Sequence, residues 1–217
     1  MNRICSFTSV LLMTIVFNSG FCNAEVKSTN NNKATNSVLL NFDNTPNGEL
    51  PAGAQVFTGS WAVRAVKGAP SAPKALCQSG RADYPAIALG GKTYSDVQIL
   101  TSFKPISGKE DQAAGIIFRV LDEENYYILR ANALEKNVVL FKYVKGKRIS
   151  LKETSVKVVK GAWQDLRVEI KGTLIRGYLG GKLVIEATDA TFKSGKVGLW
   201  TKADSQTCFD NVLILAH

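Results

Sequence analysis

The chain closes on GKVGLWTKADSQTCFDNV, residues 195–212, and Trp200, Lys202 and Asp204 are the residues there best suited to chemistry. Val197 and Leu199 alternate with Gly198 and Trp200, the two-residue period of a strand with one buried face. If Val197 and Leu199 fill the core, Trp200 and Lys202 stand on the opposite face. There an indole offers a stacking surface for a sugar ring and an ammonium offers a donor. Asp204 lies one strand-turn further on, where a carboxylate suits a turn.

Other chemistries are sparse. The sequence holds one histidine, His217, at its last position. That removes Ser-His-Asp and Cys-His catalysis and any His-ligated zinc or iron. There is no phosphate loop, dinucleotide glycine motif or CxxC. No element is suited to enter a DNA groove, so nucleic acid is not an expected partner. Glycoside hydrolysis needs two carboxylates at a set separation. Asp165 and Glu169 share a strand face but flank Arg167, as in a solvated charge ladder, and 122–124 (DEE) is an acidic turn between two strands.

The elements that must position these residues are short. Fourteen β-branched and aromatic runs cover 38–43, 61–66, 74–78, 84–89, 96–103, 114–121, 126–133, 138–144, 148–153, 163–171, 174–179, 183–187, 196–201 and 207–215. Turn signals divide them, including Asn47-Gly48, Gly90-Gly91, Gly146 and Gly180-Gly181. Residues 131–136 are the best helical candidate and are too short. The pattern predicts an all-β, two-sheet antiparallel sandwich over 38–217.

The first 24 residues have the form of a secretory signal: Arg3, an apolar run VLLMTIVF at 10–17, and Cys22-Asn23-Ala24, with cleavage after Ala24. A lipoprotein signal at Cys22 is the rival reading, disfavoured by bulky Phe21 before it. Polar, Asn-rich residues 25–37 follow as a linker. No later run is long and apolar enough to cross a bilayer, so the expected location is periplasmic or extracellular. Cys77 and Cys208 remain, and in an oxidising compartment they either bridge or stay as buried thiols. The formal charge of +9 suits anionic partners, acidic polysaccharide among them. A lysine-rich hairpin over 142–160 concentrates that charge.

Four stretches together resemble concanavalin A-like jelly rolls of the laminin-G type. They are AGIIFRVLDEENYYILRANALEKNVVLFKYVKGKR (114–148), GAWQDLRV (161–168), IRGYLGGKLVIEATD (175–189) and the closing 195–212. Within that fold the chain is most similar to the bacterial 3-keto-disaccharide hydrolase domains. The resemblance implies a curved sandwich with carbohydrate across its concave sheet.

Alternation then places Ile116, Phe118, Tyr127 and Leu129 inward. Arg119, Tyr126, Arg130 and Asn132 face outward with Trp200 and Lys202, as an aromatic and cationic patch for a glycan. A one-residue slip would exchange the two faces. If the chain acts on 3-keto-disaccharides, Asp204 is the candidate base, with Lys202, Arg119 or Arg130 stabilising the enolate. The fold also implies a possible structural calcium at Asp43 and Asp210; both residues equally suit turn-capping. Three functions therefore stand open: glycan binding, 3-keto-glycoside cleavage, and envelope adhesion through the basic hairpin.

Overall fold

A computed structural model describes residues 37–217, and every regular element in them is a strand. The leader and all but the last residue of the linker lie outside the described residues. In chain order the strands begin β1 Ser37–Leu40, β2 Gln55–Thr58, β3 Trp61–Ala65, β4 Lys74–Gln78 and β5 Ala86–Tyr94. Next come β6 Val97–Ser107, β7 Ala113–Asp122, β8 Asn125–Asn132, β9 Asn137–Val144 and β10 Lys147–Ser155. The last five are β11 Gln164–Lys171, β12 Leu174–Leu179, β13 Lys182–Thr188, β14 Gly195–Trp200 and β15 Gln206–Ala216.

Alternation produces these strands. In β6 (VQILTSFKPIS) buried residues recur at every second position almost throughout, and β11 and β12 repeat the pattern. Each strand therefore has an apolar face that only a second layer can cover. An eight-stranded sheet runs β13-β12-β11-β6-β15-β4-β3, with β1 also paired to β15. A seven-stranded sheet runs β10-β9-β8-β7-β14-β5-β2. All pairings are antiparallel, and the main core lies between the sheets. Ile99, Phe103, Leu166 and Phe209 from one side meet Ile116, Phe118, Leu129 and Leu199 from the other.

Cys77 and Cys208 are directly opposed across β4 and β15, and a disulfide joins them. They sit on the outer face of the eight-stranded sheet with Ala69 and Ala75, and Trp163 packs against them.

Three local readings change. QVFT at 55–58, a four-residue β-branched and aromatic run between Gly53 and Gly59 that the fourteen runs omit, pairs with β5 as β2. Gly90-Gly91 does not end a strand: β5 continues through it, with Gly90 at φ 71° in a region only glycine adopts freely. Residues 131–136 form the end of β8 and the turn into β9, where the Asn132 side-chain oxygen accepts the amides of Leu134 and Glu135.

Candidate functional site

The outer face of the seven-stranded sheet carries Tyr126, Ile128, Arg130 and Trp200, while Ile116, Phe118, Tyr127 and Leu129 fill the main core. Alternation thus assigned these strands to the correct faces. The face is nevertheless not open. Trp200 is 0% exposed, within a second apolar cluster containing Ile117, Tyr126 and Phe141. Gly115 lies opposite Trp200 on β7, and a Cβ there would come within 3.3 Å of the indole. Tyr84 stacks on the indole at 5.8 Å and 20°, and the Arg148 guanidinium lies 5.9 Å from it. Trp200 as an exposed sugar platform is corrected accordingly: other side chains already cover its ring.

The cationic half of the expected patch is also committed internally. Arg119 occupies a bulge at φ 48°, where pairing with β8 shifts register between Phe118 and Asp122. The bulge turns its buried side chain toward the loop carbonyls of Ser95, Gly172 and Phe192, which it bonds at 2.7–3.2 Å. Arg119 therefore ties loops together instead of facing a ligand. Arg130, 2% exposed, donates to Glu135 and Asn137. Asn132 donates to buried Asp111. Lys202 pairs with Asp111 at 2.5 Å and with Glu135 at 3.4 Å. Arg130, Asn132 and Lys202 thus share one polar cluster with Asp111, Glu135 and Asn137 while Arg119 bonds loop carbonyls, which corrects the ligand contacts expected of all four.

Asp204 is a loop clamp. Its Oδ1 accepts the amides of Glu110 and Asp111, and its Oδ2 accepts that of Lys109. These bonds, the Lys109 amide first, lower its pKa, the opposite of what a base working near neutral pH requires. The role of base is corrected on this geometry.

Asp43 and Asp210 do lie together, but their surroundings do not fit calcium. Ser71 donates its amide and hydroxyl to the buried Asp210 carboxylate. Asp43 Oδ1 accepts the Lys74 amide. The Lys74 ammonium bonds the carbonyls of Asp43 and Thr45 at 3.0 and 2.7 Å, placing a positive charge where a cation would need those oxygens. Among the described residues no group of three or more His, Cys, Asp or Glu is arranged to hold a metal.

A groove of about 480 Å³ opens on the outer face of the seven-stranded sheet. Phe57, Tyr84, Tyr126 and Tyr143 give it aromatic walls, and Asp83, Glu123 and Glu124 give it carboxylates. Of the six residues expected to meet a ligand, Tyr126 alone is among those lining it. Tyr84 and Tyr143 pack edge to face at 5.6 Å, and Tyr126 lies 5.0 Å from Tyr143, its direct partner across β8 and β9. Burial raises the pKa of Tyr126, and burial followed by Tyr84, Glu124 and Asp83 raises that of Tyr143. Both hydroxyls therefore remain neutral donors near pH 7. Arg148 lies 4.9 Å from the Tyr84 ring and 4.7 Å from that of Phe141, bracing the aromatic group. The basic hairpin is accordingly not uniform: Arg148 is engaged with rings, and Lys142 pairs with Asp189 at 2.8 Å.

Sequence reasoning missed Phe57, Tyr84, Tyr143 and Asp83, and took Glu123 and Glu124 for a plain turn. Tyr143 was recoverable, because hairpin pairing puts it beside Tyr126 on one face. Tyr84 was recoverable only as to face: the run 84–89 sets it opposite Ile87 and Leu89, but no local pattern brings it beside Tyr143.

A carbohydrate-binding module, CBM66, from Bacillus subtilis superposes with a TM-score of 0.63 and 26% identity, covering 74% of this chain and 93% of that one. The carbohydrate recognition domain of Emp47p gives a TM-score of 0.57 at 13% identity, covering 83% and 94%. The fold is a concanavalin A-like jelly roll. In sequence, the levanase of Bacillus subtilis (strain 168) is 28% identical over 138 residues, 62% of this chain. The match spans 20% of that levanase's length. No family model matches the chain.

Proposed function

We propose that this jelly roll is an exported carbohydrate-binding domain whose ligand lies in the groove walled by Tyr84, Tyr126 and Tyr143. The observation that carries the reading is the groove's composition: three half-buried aromatic side chains, Phe57, Tyr84 and Tyr143, over the buried Tyr126, beside three carboxylates, and no lysine or arginine among the lining residues. Aromatic rings take the C–H face of a pyranose or furanose, and carboxylates accept paired hydroxyls. This chemistry selects a neutral sugar. An acidic polysaccharide would meet Asp83, Glu123 and Glu124 at like charge. The likeness to a carbohydrate-binding module and to levanase supports the reading and makes levan the first glycan to try. The cross-strand disulfide supports export into an oxidising compartment.

The resemblance to 3-keto-disaccharide hydrolases gains no support from Asp204, whose carboxylate is held by backbone amides. Binding is the reading that the groove favours.

Isothermal titration of the protein with levan, neutral glucans and polygalacturonate tests it, alongside Tyr143→Ala. A neutral glycan is expected to bind, and the variant to lose at least about tenfold, roughly 1.4 kcal/mol, from the removed stacking surface. Equal binding by wild type and variant would move the ligand away from this groove.

A further inference from the structure

A second hollow, lined by cations, lies on the opposite sheet. On the outer face of the eight-stranded sheet, Ala62, Cys77, Cys208 and Lys104 are successive partners across β3, β4, β15 and β6. Arg64, two residues beyond Ala62 on β3, shares that face by alternation. A hollow of about 320 Å³ lies there, floored by the Cys77–Cys208 disulfide with Val66 and Ile106. Arg64 and Lys67 line it, together with Ser79 and Gln206, and no Asp or Glu does. Ile106 is 40% exposed, so part of this floor is open to solvent. Among the described residues Arg64, Lys67 and Lys104 enter no ion pair.

We propose that this hollow is a second binding site, for a carboxylate-bearing polysaccharide. Three features point to that occupant. The cations at the hollow have no internal partner, so an external anion meets no competing carboxylate. Arg64 presents the planar fork that matches a carboxylate with two parallel hydrogen bonds, whereas Lys67 supplies point charge. The apolar floor suits the C–H face of a sugar ring, and Ser79 and Gln206 offer hydroxyl and amide partners for its hydroxyls. The disulfide joins the two strands of the floor, so the hollow is held in shape without ligand. The two faces then divide the work: a neutral glycan on one sheet and an acidic chain on the other, with no competition between them. This site does not depend on the tyrosine groove being occupied.

Affinity electrophoresis through gels containing polygalacturonate tests the assignment, with its fully methyl-esterified form and inorganic polyphosphate as comparison polymers. The whole chain is used, as wild type, Arg64→Gln/Lys67→Gln, Lys182→Gln/Lys193→Gln and Tyr143→Ala. The two Gln pairs remove equal charge, and all four of their positions are exposed. The expected result is retardation by polygalacturonate that weakens as salt rises and is absent with the esterified polymer. Arg64→Gln/Lys67→Gln should weaken it at least about tenfold, while Tyr143→Ala and the Lys182/Lys193 pair leave it nearly unchanged. Equal loss from the two Gln pairs would overturn the site in favour of diffuse surface charge. Polyphosphate binding as tight as polygalacturonate would overturn the carbohydrate class, and no retardation would overturn the proposal. A failure of the tyrosine groove would show instead in the neutral-glycan titration.

Discussion

At the residue scale, Trp200 separates the side of a strand from access to solvent. Period-two alternation correctly set it opposite Val197 and Leu199, but alternation says nothing about what covers the second face. Here the cover is Tyr84, from a segment more than a hundred residues earlier, with Arg148 from β10. Trp200→Ala is therefore expected to destabilise the fold by about 3–5 kcal/mol, measured by denaturant unfolding, because it empties a fully buried indole site. A loss below about 1 kcal/mol would restore the exposed-platform reading. Asp204 carries the opposite lesson: a carboxylate in a conspicuous sequence position serves the backbone of its own loop. Asp204→Asn should lower the melting temperature and increase amide exchange at 109–111, since it weakens three charge-assisted bonds. Glycan affinity should not change, because Asp204 does not line the groove.

At the element scale, most strands were legible as β-branched and aromatic runs between turn signals, with clear alternation in β6, β11 and β12. What escaped was irregularity. The bulge at Arg119 flips parity within a single strand, so Phe118 faces the main core while Val120 joins the outer cluster. No residue type announces that shift; only the ladder shows it. Arg119→Met keeps much of the stem but removes four hydrogen bonds to the loop carbonyls of Ser95, Gly172 and Phe192. It should lower the melting temperature and increase hydrogen exchange at 172–173 and 191–193, while glycan binding persists. The cysteines were legible as a pair but not as a bond, since opposition across β4 and β15 is a matter of register. Removing the bridge with Cys77→Ser/Cys208→Ser should cost about 2–4 kcal/mol, a loop-closure effect in the unfolded chain. An unchanged unfolding midpoint would contradict that estimate.

At the scale of the whole molecule, stability should fall in acid for reasons that can be assigned to sites. Burial pushes the Glu135 carboxyl up, but Arg130's hydrogen bond and charge outweigh it and hold the group down to about 2. Asp189 is likewise depressed: burial raises it, and bonds from Lys142, Thr191 and Tyr127 reverse that. A folded value below the unfolded one gives stability that is complete above about 4.5 for Glu135 and is lost as pH falls toward 2. Asp210 works against the trend, since burial raises its pKa in the folded state. The net expectation is a falling thermal midpoint between pH 4.5 and 2, with Glu135→Gln flattening part of the slope. The same scale explains why the site was only partly legible. Its walls come from β2, β8, β9 and the segment before β5, and these converge only after the sheet has formed. The central claim is that a neutral glycan occupies this groove, and amide chemical-shift mapping during a titration with levan oligosaccharides tests it most directly. The account expects perturbations concentrated at residues 57–58, 83–86, 123–126 and 143–146. Perturbations confined to the eight-stranded sheet, or absent with every neutral glycan tried, would contradict it.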